Sequence, residues 1–251
     1  MRLSTFLTRF KEILKTINDM LLSARHPKRY LMFQRILAGC ASLLLTATTY
    51  AETFTFRVLD ENMLPLSMAV ISAPGASKPA VHQDRIMDQV NVAFEPHVLV
   101  INQGDSVSFP NSDNMRHHVY SFSKPKPFEI KLYADRPEAP VDFNTPGIVV
   151  LGCNIHDTMI GYIYVSSTPQ VTITDKNGVA QIQLDEPPSV LNVWHERHSL
   201  IESTQMELTG DALKSAKKSG NHYDIILPTA VAAKKPMQDH SQHGFGNSMR
   251  R

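Results

Sequence analysis

A thiol, an imidazole and a thioether lie close together in Gly152-Cys153-Asn154-Ile155-His156-Asp157-Thr158-Met159-Ile160-Gly161, between two apolar runs. These are soft to borderline donors. One thiolate, two imidazoles and a weak axial thioether form a set that suits copper cycling between Cu(I) and Cu(II). The second imidazole must come from elsewhere, and Asn111-Ser112-Asp113-Asn114-Met115-Arg116-His117-His118 offers two. The plainer alternative for Cys153 is burial as a small hydrophobe, with His156 a surface turn residue.

The elements that must position these groups read as strands. Residues 90–94, 97–101, 106–109, 118–122, 148–151 and 161–165 are short and rich in β-branched and aromatic side chains. Turn formers separate them: Glu95-Pro96, Gln103-Gly104-Asp105, Asn111-Ser112-Asp113, Pro125, Pro127 and Pro146-Gly147. Residues 171–174 and 179–184 flank Asp175-Lys176-Asn177-Gly178 and read as a hairpin with glycine where positive φ is wanted. Residues 190–194 and 223–227 complete the set, and no long amphipathic helix is expected after residue 52. The expected fold class is all-β, a sandwich or barrel of closely spaced strands.

Gly104-Asp105-Ser106-Val107-Ser108-Phe109-Pro110-Asn111, the step from Asn111 to His117, and Cys-x2-His-x2-Met together resemble a cupredoxin, the type 1 blue copper family. The pattern is most similar to the amicyanin and plastocyanin group. The resemblance spans roughly residues 88–166, within a domain bounded at 83–166. It implies a Greek-key β-sandwich holding one copper ion, Cu(I)/Cu(II), with His117, Cys153 and His156 as equatorial ligands and Met159 as the axial one. Family members usually carry Asn after the first His; here His118 stands there, bracing the ligand loop in its place or ligating instead of His117. A second resemblance, to the opening of a transthyretin-like or carboxypeptidase-regulatory-like β-sandwich, lies in residues 53–73, with Thr174-Asp175-Lys176-Asn177-Gly178 as its hairpin. It implies a split sandwich, 52–82 with 167–230, into which the copper-like domain is inserted; the alternative is two neighbours with 53–73 belonging to the first.

Charge and leader set the compartment. The chain of 251 residues is 42% hydrophobic and 20% charged, a globular composition. Residues 1–51 hold eight basic and two acidic residues, leaving 17 basic against 22 acidic of the chain's 25 and 24. An acidic body argues against nucleic acid as a partner. No apolar run reaches the length of a spanning helix. Residues 32–51 run from a short basic start through an apolar stretch to Thr49-Tyr50-Ala51, read as a signal peptide cleaved after Ala51 and hence as export to the periplasm. Leu37-Ala38-Gly39-Cys40 also resembles a lipobox. Residues 1–31 read as an upstream extension, with a membrane-surface helix over 3–22 as the alternative.

Cleavage leaves Cys153 as the mature chain's lone cysteine, which needs a reason in an oxidising compartment. Residues 231–251, with His240 and His243, read as a disordered, solubilising tail. His195 and His198, three apart on an expected strand, fall on opposite faces. No paired carboxylates or nucleophile constellation has a recognisable spacing, so the chain is not expected to be an enzyme. Two functions stay open: electron transfer between redox partners such as a periplasmic dehydrogenase or a c-type cytochrome, or a copper carrier without turnover. Docking is expected around His156, with Met115, Ile155 and Ile160 as apolar rim and Asp157, Asp113 and Arg116 as charged periphery.

Overall fold

The computed structural model describes residues 51–230 except 75–81, 136–138, 200 and 202, together with 11, 12 and 15. The chain forms two units, Met1–Tyr50 and Ala51–Arg251. Nearly all of the leader and the upstream extension, and the whole tail with His240 and His243, lie outside the described residues. No helix among the described residues is long and apolar enough to cross a membrane.

The strands, in chain order, begin with β1 (Glu52–Leu59), β2 (Val70–Ser72), β3 (Asp84–Ile86), β4 (Asp88–Val90), β5 (Ala93–Glu95) and β6 (Val98–Asn102). Next come β7 (Ser106–Ser108), β8 (His117–Ser121), β9 (Phe128–Tyr133), β10 (Val141–Asp142), β11 (Gly147–Cys153) and β12 (His156–Ser166). Last are β13 (Val171–Ile173), β14 (Val179–Leu184), β15 (Val190–Trp194), β16 (Met206–Thr209) and β17 (His222–Ile226), with one short helix, Gly210–Ala216, before β17. From Ala51 onward the described residues are all-β apart from that short helix.

Two sheets, ordered β14-β1-β17 and β13-β2-β15-β16, enclose one core. Strand β1 shows why: Phe54, Phe56 and Val58 are fully buried while Arg57 between them is exposed, the period-two alternation of a one-sided strand. Strands β2 and β13 pair antiparallel, Ser72 opposite Val171, although about a hundred residues separate them in the chain. The intervening chain builds a five-stranded sheet, β6-β12-β11-β8-β9, a facing sheet, β10-β7-β3, and the β4–β5 hairpin. Phe94, Val107, Phe109, Val119, Phe143 and Ile163 fill the core there.

Strand β12 joins the two halves. Ile163 and Val165 point into the second core, while Tyr162 and Tyr164 pack on Trp194 and Val70. Burial on both faces explains its continuous apolar run.

Three sequence expectations need correction. The turn at 175–178 exists, with Gly178 at φ 72, but β13 and β14 belong to opposite sheets and are not a hairpin. The turn carries the chain across the sandwich because each strand has a better partner, β2 and β1 respectively. Residues 90–94 are not one strand: Asn91 and Val92 form a tight turn between β4 and β5. His195 and His198 lie beyond the end of β15, in a turn closed from His198 N–H to His195 carbonyl at 2.9 Å.

Candidate metal centre

Three side chains converge at one end of the five-stranded sheet. Cys153 closes β11, His156 opens β12, and the two pair across a register shift after Gly152. The expected loop between two strands is therefore the tip of a hairpin. His117 opens β8, the neighbour of β11. Cys153 Sγ lies 3.8 Å from His117 Nδ1 and 3.8 Å from His156 Nδ1. The three ligand atoms lie within 4.8 Å of one another and form the group among the described residues that could hold a metal ion. Cys153 is 3% exposed and His117 fully buried, whereas His156 is partly exposed. Met159, 1% exposed, belongs to the same apolar cluster as Cys153.

His117 is held from behind. Its Nε2 lies 2.7 Å from Asp113 Oδ2. That carboxylate also accepts the backbone N–H groups of Asn91 and Val92, at 2.6 and 2.9 Å. Burial alone would push the Asp113 carboxyl up, but hydrogen bonds from Val92, His117 and Asn91 and the His117 charge together hold it below the ordinary carboxylate range. An ionised carboxylate only accepts, so Nε2 of His117 carries a proton toward Asp113, and Nδ1 is the ring atom turned toward Sγ.

The loop before His117 is braced by Asn111. Its amide donates to the carbonyls of Met115 at 2.8 Å and Tyr133 at 3.2 Å, while its oxygen accepts Asp113 N–H. The Tyr133 hydroxyl donates to Phe109 carbonyl, and burial pushes its pKa up to about 12.

His118 points away, as alternation along β8 requires. Its Nε2 meets Glu129 Oε1 at 2.9 Å, and its Nδ1 is buried without a hydrogen-bond partner. The expectation that it braces the ligand loop is not met. Asp113, expected on a charged periphery, instead turns inward onto His117; Asp at that spacing from a His was the available sequence signal. Met115 and Ile155 are 42% and 51% exposed, as a rim requires. His195 Nε2 donates to Ser67 carbonyl at 3.1 Å and His198 Nδ1 donates to Pro228 carbonyl at 2.8 Å, so the pair forms no ligand group. Burial pushes His195 below the ordinary imidazole range.

The donor set fits copper. One ion could reach both atoms across each 3.8 Å separation, since lengths such as zinc's, about 2.3 Å to sulfur and about 2.05 Å to nitrogen, together exceed it. A His2Cys trigonal set with a weak axial thioether is the blue-copper type.

No protein-family model matches the chain, and no curated protein matches it in sequence. Among solved structures it is similar to a Cu-containing nitrite reductase from Thermus scotoductus SA-01, with 26% identity over 38% of this chain and a TM-score of 0.32. The match spans only 25% of the nitrite reductase. A purple cupredoxin from Nitrosopumilus maritimus matches at 21% identity over 34% of this chain and 99% of its own, with a TM-score of 0.29. A mutant amicyanin in its Cu(I) form matches at 19% identity over 38% and 98%, with a TM-score of 0.30. These TM-scores are low, and the reading of the site rests on its own residues. In motif, in donor set and in the β-sheets that carry them, this part of the chain resembles a cupredoxin.

Proposed function

We propose that the chain is an exported blue-copper protein that passes single electrons between redox partners, and not an enzyme. The carrying observation is the Cys153 thiol held 3.8 Å from the Nδ1 atoms of both His117 and His156. Copper bound there would supply a one-electron couple between Cu(I) and Cu(II). The proposed ligands are His117, Cys153, His156 and Met159. The chain's own contribution is to bury the thiol, fix both imidazoles on strand ends and exclude water through Met159 and its neighbours. Rigid donors suit either oxidation state and limit reorganisation.

Exchange would pass through His156, the partly exposed member of the set, with Met115 and Ile155 as the apolar contact. A small apolar patch suits a transient encounter with a periplasmic dehydrogenase or c-type cytochrome. The proposed organisation is a signal peptide at 32–51, a split sandwich at 52–82 and 167–230, and a cupredoxin domain at 83–166. The pairing of β2 with β13 across the intervening domain supports it. The second reading, a copper carrier, shares the same ligands.

The visible spectrum of the copper-loaded chain tests the assignment. A Cu(II)–thiolate site gives an intense visible band, and Cys153→Ser should abolish it while the far-UV circular dichroism of the β fold stays. A colourless copper-loaded wild type would remove the proposal. Reversible one-electron oxidation and reduction without copper loss separates the electron carrier from the metal carrier.

A further inference from the structure

The turn between β4 and β5 adopts a backbone that Val92 resists. Asn91 has φ 52 and Val92 φ 59. A β-branched side chain in the left-handed region is a true outlier, retained only where surroundings over-determine it. Val92 packs its side chain against the second core, and the turn's two amides meet one carboxylate. Asn91 N–H reaches Asp113 Oδ1 and Val92 N–H reaches Asp113 Oδ2, so two successive amides converge on a single anion. The same Oδ2 meets His117 Nε2. A second tie holds the neighbouring residue: Ser112 Oγ donates to Asp88 Oδ2 on β4 at 2.7 Å, and Ser112 N–H to Gln89 carbonyl at 3.0 Å.

We propose that this strained turn is a positioning device for His117, acting through Asp113. The inference rests on the metal-site reading above for its purpose but not for its geometry. Two amides fix the carboxylate, so it cannot rotate away from the imidazole. The carboxylate fixes the proton on Nε2 and leaves Nδ1 bare toward Cys153. Its charge makes His117 a stronger donor, which favours Cu(II) over Cu(I). Left-handed geometry at Asn91 and Val92 is what aims both N–H groups at one point.

The test uses the full chain. In the metal-free protein, ring nitrogen-15 shifts should show His117 as a single Nε2–H tautomer, and Asp113→Asn should give a mixture. In the copper-loaded protein, Asp113→Asn should keep the metal, lose about tenfold or more in Cu(II) affinity, and raise the reduction potential. Asp113→Glu should restore the wild-type direction in part. Unchanged tautomer and potential in a folded Asp113→Asn variant would overturn the proposal. A tautomer locked in wild type and released in the variant, in a protein that takes no copper, would uphold this inference and defeat only the metal reading.

The turn is tested separately. Inserting two glycines between Asn91 and Val92 frees the amides and should loosen the tautomer as Asp113→Asn does. Val92→Gly keeps both amides and suits positive φ, so it should leave tautomer and potential unchanged. An insertion that leaves His117 locked, or a Val92→Gly variant that matches Asp113→Asn, would remove the turn from the account.

Discussion

The two halves of the body bury polar groups to different ends. Around β1, two such groups close the backbone. Asp60 accepts the N–H groups of Asn62 and Leu64, and Thr174 accepts from Ala69 and donates to Leu66 carbonyl. Around β8 and β11, Asn111 and Asp113 do similar work, but Cys153 Sγ lies 3.8 Å from the Nδ1 atoms of both His117 and His156. Burying polar atoms without strong partners is costly. One half uses polarity to hold its shape; the other also brings together three groups that could hold a metal ion.

That contrast can be broken at the donors. His117→Ala should remove the visible band or open a ligand position, because a fully buried ligand has no substitute on its own strand. His118→Ala should leave the band nearly unchanged, since that ring faces Glu129. The opposite pattern in the visible spectrum would reverse the ligand assignment.

In the other half the expected loss is stability. Phe56 is fully buried in the β1 core, and Phe56→Ala should cost about 3–5 kcal/mol of unfolding free energy in denaturant melts. Where the variant remains folded, its copper spectrum should match wild type. A bleached spectrum at full folding would show that the two cores are coupled through Trp194 and Tyr162.

A smaller effect sharpens the rim. Replacing Met115 and Ile155 together by Lys should slow electron exchange with the native partner about tenfold, a difference of about 1.4 kcal/mol, with colour unchanged. Unaltered exchange would move docking elsewhere.

The smallest effect lies on the surface of the first half. Arg57 donates two hydrogen bonds to Asp224, at 3.0 and 2.7 Å, and these hold the Asp224 carboxyl below its ordinary range. A depressed carboxyl contributes stability above its unfolded pKa and loses it as pH falls through the folded value. Asp224→Asn should therefore melt slightly lower than wild type at neutral pH, and the gap should close on acidification. The pair is partly exposed, so added salt should shrink the gap too.

The grouping of His117, Cys153 and His156 was legible because metal-binding side chains are rare residue types at fixed spacing: Cys153 and His156 are local, and the step from Asn111 to His117 follows the same logic. Strand existence was legible from apolar and β-branched runs. The boundary at 90–94 was not, because Asn91-Val92 lacks glycine and its left-handed turn is held by Asp113 from another segment.

By itself the sequence determined a β-rich chain, a soft donor set and two adjacent imidazoles, His117 and His118, either of which could join it. Only the tertiary structure decided which one, because the facing direction of β8 depends on its pairing with β11 and β9. It also sent β13 and β14 to opposite sheets, since a strand joins whichever edge offers hydrogen bonds and a buried face, and those edges come from residues far away in the chain. Asp113 follows the same rule: its charge was visible in the sequence, but its role depends on two amides and an imidazole that folding alone brings to it.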